Sequence, residues 1–244
     1  MTAFGLDERA QIGALRAGLL LQWRVLSTKF FQVDPLECAA NLIGTRLVWG
    51  ECAGIVVETE AYMVEGDEAC HTFSRPSTRE FVRRNKPGTA YVYFNYGVHW
   101  MLNVLVKGGP RDGIILIRAL EPRRGIALMR ERRGVADLRR LCAGPGRLTQ
   151  ALDIAKRHHE LDLCAQRAHS FRARPNDNVE VVADARIGIS RAKAFPWRFT
   201  LRGSEFVSVP VRSPVLSSRA GGARRETSQP QRALSRPLSR RLQR

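Results

Sequence analysis

The chain has 244 residues, with 40 Lys+Arg against 23 Asp+Glu and a formal net charge of +17. Its 44% apolar and 26% charged residues suit a globular protein with one large domain or two small ones. No apolar run approaches the roughly 20 residues that cross a bilayer, and the five widely spaced cysteines form no C-x-x-C, which argues against a membrane protein, a disulfide scaffold, and a zinc or iron–sulfur centre.

Residues 1–26 carry no assignable motif and read as an N-terminal extension before one domain over residues 27–210. A helix should open at Asp34 as N-cap, with Pro35 in the first turn, Glu37 as capping-box partner and Gly44 as the stop. Arg46–Trp49 and Gly54–Tyr62 read as strands, and in the second Glu58, Glu60 and Tyr62 share one face by the period of two. Residues 64–88 read as a long loop closed by Lys86-Pro87-Gly88. Ala90–Phe94 and Val98–Val106 are strongly β in composition, and Asn95-Tyr96-Gly97 between them reads as a hairpin tip.

Ile114–Leu120 is a further strand, Pro122 to about Arg133 an amphipathic helix, and Gly144-Pro145-Gly146 the start of a helix through Leu152. Val179–Val182 and Phe199–Val209 read as late strands. Residues 211–244 hold nine Arg and only Glu226 as an acid, among Ser, Pro and Gly, and read as a disordered basic tail. That tail is either an incidental terminus or an arm for a polyanion. The expected class is α+β: a single mixed domain around a curved antiparallel sheet with a protruding hairpin and surrounding helices.

Five features stand out chemically. All four tyrosines, Tyr62, Tyr91, Tyr93 and Tyr96, fall within 35 residues, with His71 among them. They are either ordinary sheet core or a stacking site for a flat ring. Glu60 lies among Val56, Val57, Ala61 and Tyr62, so it is either a solvated strand acid or a half-buried general base. Arg118 sits inside the apolar strand and needs a buried partner, for which Glu60 would serve. The aromatic expected to be exposed at position 96 is either incidental or, on a basic protein, a wedge between base pairs, and Gly144-Pro145-Gly146-Arg147 offers backbone N–H groups to a phosphate.

Taken in order, Val57-Glu58-Thr59-Glu60-Ala61-Tyr62, Asp67-Glu68-Ala69-Cys70-His71, the run Lys86 to Gly97, Leu102-Asn103-Val104, Ile117 to Pro122 and Gly144 to Leu148 closely resemble the alkyladenine (3-methyladenine) DNA glycosylase family of the mammalian type. The resemblance runs from about Ser27 to Pro210. It implies a monofunctional hydrolase, without a lyase step, that flips alkylated or deaminated purines out of duplex DNA and excises them in base excision repair. On that likeness Glu60 activates the water, and Arg118 and the carbonyl of Ile187 help to hold it. Tyr62 stacks on one face of the base, His71 and Tyr93 on the other, with Tyr91 and Asn103 in the pocket wall. Tyr96 fills the vacated stack, and Val98, His99, Arg79, Gly146 and Arg147 meet the duplex.

The implied partner is damaged double-stranded DNA, with no cofactor, no metal, no membrane and no obligate protein partner. The chain is then expected to be monomeric and intracellular, in cytoplasm or nucleoid if bacterial. Arg83-Arg84 departs from the apolar pair that the family often carries before Pro-Gly. The alternative is a protein that binds modified bases or nucleic acid without cutting.

Overall fold

The computed structural model describes residues 24–174 and 178–211. The expected extension before residue 24, and the arginine-rich tail from residue 212, lie outside the described residues. Among the described residues five α-helices and eight strands follow in chain order: α1 (Pro35–Leu42), β1 (Arg46–Trp49), β2 (Cys52–Met63), α2 (His71–Ser74), α3 (Pro76–Arg84), β3 (Ala90–Asn95), β4 (His99–Val106), β5 (Gly113–Arg124), α4 (Ile126–Arg133), α5 (Pro145–Leu152), β6 (His169–Arg172), β7 (Val181–Asp184) and β8 (Arg198–Leu201).

The fold is α+β around one curled antiparallel sheet in the order β3-β4-β5-β2-β1-β6, with β7 and β8 attached to β2. Strand β2 organises it. One edge pairs with β5 along its whole length. The other edge pairs first with β1, from Trp49↔Cys52 to Arg46↔Ile55, and then with β8, from Glu58↔Thr200 to Glu60↔Arg198. The β2–β5 register slips on both sides of Glu58, which leaves Val57 on β2 and Arg118 on β5 without direct partners. A bulge bends a strand and re-aims a side chain; here it aims Arg118.

α1 starts as its residues dictate. The Asp34 carboxylate accepts from the Leu36 N–H at 2.9 Å, and Gly44 ends the turn at φ +83°. α1 and α5 cover the sheet, closing a core that includes Leu42, Leu47, Val56, Leu102, Val104, Ile115, Ile117, Leu148 and Phe171. A second cluster joins Cys70, Phe81, Val82, Tyr91, Leu105 and Ile114 beneath α2 and α3. Among the described residues no helix is long and apolar enough to cross a membrane.

Three expectations are corrected. Residues 64–88 are not one loop but carry α2 and α3. In α3 only Thr78, Phe81 and Val82 are buried, too few apolar positions to stand out in a charged stretch that Pro76 opens. The helix expected from Pro122 begins at Ile126, because β5 continues to Arg124. Pro122 pairs with Gly54 on the β2 side, and β4 accompanies β5 only from Gly113 to Leu116, so the missing N–H costs no ladder bond. The strand expected over Phe199–Val209 stops at Leu201 and turns at Gly203, φ +71°, carrying Ser208 back to the centre of β2.

Candidate active site

The alternation of β2 puts Glu58, Glu60 and Tyr62 on one face, and both carboxylates are fully buried. Glu60 is closed in by donors from three directions. Its Oε1 accepts from the Ile187 amide at 2.6 Å. Its Oε2 accepts from the Tyr62 hydroxyl at 2.7 Å and from Arg118 Nη1 at 3.2 Å. A carboxylate has about four acceptor positions, so one remains for a water. Burial and the Glu60 charge push the Tyr62 phenol well above its usual value, so it stays a donor.

Glu58 lies behind Glu60. Its Oε1 takes Arg118 Nε at 2.8 Å, Arg198 Nε at 2.9 Å and the Ser208 hydroxyl at 2.8 Å, and its Oε2 takes the Ser208 amide at 2.6 Å. Burial pushes this carboxyl up, but Arg118, Arg198 and Ser208 outweigh it and hold the group below the usual carboxylate range. Arg118 burial is likewise outweighed by Glu60 and Glu58, which keep the guanidinium charged.

In front of Glu60 opens a cavity of about 680 Å³, lined by Tyr62, His71, Tyr91, Tyr93, Asn103, Arg118, Ile187 and the hairpin-tip Tyr96, among others. Its walls are rings. His71 meets Tyr93 edge-on at 4.4 Å, and its Nδ1 lies 3.2 Å from the Tyr91 hydroxyl. That hydroxyl also lies 2.9 Å from Thr78 Oγ1, and Tyr91 and Tyr93 rings are 5.3 Å apart. Asn103, directly across the hairpin from Tyr91, donates to the Tyr91 carbonyl at 3.0 Å and is buried. Burial, reinforced by Arg75, lowers His71 to about 4, so it is neutral at pH 7.

The far wall is the segment after β7, residues 186–191, and one residue fastens it. Arg186 makes a buried two-pronged pair with Asp67, at 2.6 and 2.9 Å, and donates to the Ala61 carbonyl at 3.0 Å. Its guanidinium lies between the Tyr62 ring, 4.6 Å away, and the Trp197 ring, 4.9 Å away. This holds Tyr62 upright and sets the next amide, Ile187, on Glu60.

The sequence-expected residues divide into two groups. Glu60, Arg118, Ile187, Tyr62, His71, Tyr91, Tyr93 and Asn103 come together, although Ile187 touches Glu60 through its amide rather than its carbonyl. Tyr96 stands at the cavity rim, 87% exposed. The others lie outside the cavity wall. Val98 is exposed beside Tyr96. His99 packs on Gly146 so closely that a Cβ there would lie 2.6 Å from its ring. Arg147 is exposed and reaches the Ala143 carbonyl at 3.1 Å. Arg79 is tied to the carbonyls of Thr72 and Phe73 at 2.6 and 3.3 Å. Sequence reasoning missed Glu58, Arg198 and Ser208 as a charge hub, and Arg186 with Asp67 as a clasp. Arg198 carried a signal, being a cation beside an apolar strand like Arg118; Ser208 carried none.

A sealed carboxylate thus lies behind a pocket of rings, on the antiparallel sheet of a basic chain. Comparison with known proteins makes this specific. The family model described as methylpurine-DNA glycosylase (MPG) matches residues 29–205. A relative from Rhodopseudomonas palustris (strain BisB18) is 46% identical over 187 residues, covering 76% of this chain and 91% of its own. One from Nitrosospira multiformis is 43% identical over 187 residues, 76% of this chain and 95% of its own. One from Rhizobium johnstonii is 41% identical over 202 residues, 82% and 96%. All three bear the name "Putative 3-methyladenine DNA glycosylase". The chain belongs to the methylpurine-DNA glycosylase family; it is a DNA glycosylase, a hydrolase of N-glycosyl bonds in the repair of alkylated DNA.

Proposed function

We propose that this protein excises alkylated and deaminated purines, 3-methyladenine first and 7-methylguanine, ethenoadenine and hypoxanthine with it, from double-stranded DNA. The target nucleotide rotates out of the duplex, at a cost of a few kcal/mol, into the cavity between Tyr62 and the His71–Tyr93 pair. Tyr96 offsets part of that cost by taking the vacated place in the stack. Bases alkylated at N3 or N7 are cations, and each aromatic face attracts them by roughly 0.5–2 kcal/mol. A neutral His71 adds no opposing charge.

The chemistry rests on Glu60. Its carboxylate takes a proton from a water held with Arg118 and residue 187. The water oxygen bonds to the sugar C1′ as the N-glycosyl bond breaks, and the bonding pair leaves on the base nitrogen. The positive charge that develops on the sugar faces the carboxylate. A cationic base leaves neutral, so this lesion class needs no second carboxyl group. Among the described residues no lysine lines the cavity, which supports hydrolysis without a Schiff-base lyase step.

The observation that carries this reading is the closure of Glu60 by Tyr62, Arg118 and the Ile187 amide at the back of a ring-lined cavity. Its test is single-turnover release of free base from duplexes holding 7-methylguanine, ethenoadenine or hypoxanthine. Glu60→Gln should slow release by about 10²-fold or more, with lesion-duplex affinity kept within about tenfold. Lesion binding by the wild type with no release would favour the non-cutting reading instead.

A further inference from the structure

We propose that Glu58 and Arg198 are positioning residues that set the proton affinity of the catalytic carboxylate through Arg118, on the reading that Glu60 is the general base. The sheet itself builds the arrangement. The double register slip frees Arg118 from its ladder partner just where β2 exchanges β1 for β8. β8 brings Arg198 opposite Glu60 in register, and the chain beyond it returns Ser208 to Glu58. Arg118 therefore stands between two fully buried carboxylates, 2.8 Å from Glu58 and 3.2 Å from Glu60. The shorter contact goes to Glu58.

This division has a chemical purpose. A guanidinium given wholly to Glu60 would favour its charged form more strongly, and an unpartnered Glu58 beside it would oppose that form. Arg198 shares the Glu58 charge with Arg118, and is itself held by Asp184 at 3.2 Å and by the Val209 carbonyl. The charged and titratable groups packed around Glu60 are Glu58 and Tyr62 on β2, Arg118 on β5, Arg198 on β8, Tyr93 on β3, and Asp184 and Arg186 before and within the 186–191 segment. Of these, Glu58 and Arg198 have opposite charges and reach Glu60 through one shared cation.

The experiment is the pH profile of single-turnover release from a 7-methylguanine duplex, whose own ionisation is common to all variants, corrected for spontaneous release. Relative to wild type, Glu58→Gln should move the acid limb down by about one pH unit and lower the plateau. Arg198→Met should move the limb up, and Glu58→Asp should leave it in place. Opposite shifts from the two variants cannot come from a loosened fold. Ser208→Ala, which removes one donor to Glu58 from a half-buried segment, shares the upward sign and decides the case if Arg198→Met does not fold. Limbs that stay put while the rate falls, or that move the same way in both variants, overturn the proposal. No release by the wild type at any pH would instead strike at the glycosylase reading beneath it.

Discussion

His71 is the clearest case of a single residue whose environment decides its role. The unfolded value near 6.5 falls to about 4 in the cavity wall, because burial penalises the charge and Arg75 repels it. The native state therefore binds fewer protons than the unfolded chain between those values. Stability should be full above about pH 6.5 and be lost as pH falls toward 4. We expect the His71 ring resonance to titrate with a midpoint near 4, and His71→Gln to lose less melting temperature than wild type between pH 7 and pH 4.5. A His71 midpoint near 6.5 would mean a solvated ring. At this scale the pairing of Glu60 with Arg118 was legible in the sequence. A carboxylate in an apolar strand and an arginine in another each demand a partner, and they are each other's. What stayed hidden was the third party. A strand pattern shows that Glu58 shares the face of Glu60, but not that Ser208, 150 residues on, returns to it.

Among the elements, the β3–β4 hairpin was fully legible and the β2–α3 connection was not. The tip obeys local rules: Tyr96 and Gly97 adopt φ of +50° and +66°, and the Val98 N–H closes on the Asn95 carbonyl at 3.0 Å. An aromatic held at positive φ is uncommon, and costs on the order of 1 kcal/mol. The strain aims the ring outward past Gly97 and leaves it 87% exposed. Tyr96→Gly should relieve that strain and loosen the unfolded chain by similar amounts, so the melting temperature should shift by no more than about 3 °C. Excision from duplex should fall at least about tenfold, since the unstacking cost is no longer offset. Parallel loss of stability and excision would instead make the tip part of the fold. α2 and α3 escaped detection because tertiary contacts, not periodicity, hold them: Thr78 to Tyr91 at 2.9 Å, and Arg84 to Glu160 across 76 residues.

For the whole molecule the governing quantity is charge. With a formal +17 on 244 residues, the chain should bind any duplex, and base chemistry should select within that binding. We expect affinity for a lesion duplex to fall by about 10²-fold or more between 50 and 200 mM salt. Removing residues 212–244, which hold nine Arg and one Glu, should flatten that dependence without changing the base-release rate at saturation. An unchanged slope would mean that the tail meets no phosphate. The α+β class and the central antiparallel sheet were readable because alternation and turn residues repeat along the chain. The strand order was not, since β8 joins β2 across more than 130 residues of sequence.

That last pairing bears on how the molecule assembles. Glu60, Arg118, Ile187 and Ser208 come from four distant stretches, and apart from the Arg118–Ser208 contact the links among them run through the β2 acids Glu58 and Glu60. Closing such long loops is slow, and each must close before its contacts repay the entropy lost. A nascent chain can build the β3–β4–β5 meander early, from near neighbours, and when β2 joins it two buried acids meet the single cation Arg118. Docking of β8 brings the second, Arg198. On the proposed reading of the site, competence for hydrolysis and completion of the sheet are thus one event: a half-made copy would have the rings to hold a base but no poised carboxylate to release it.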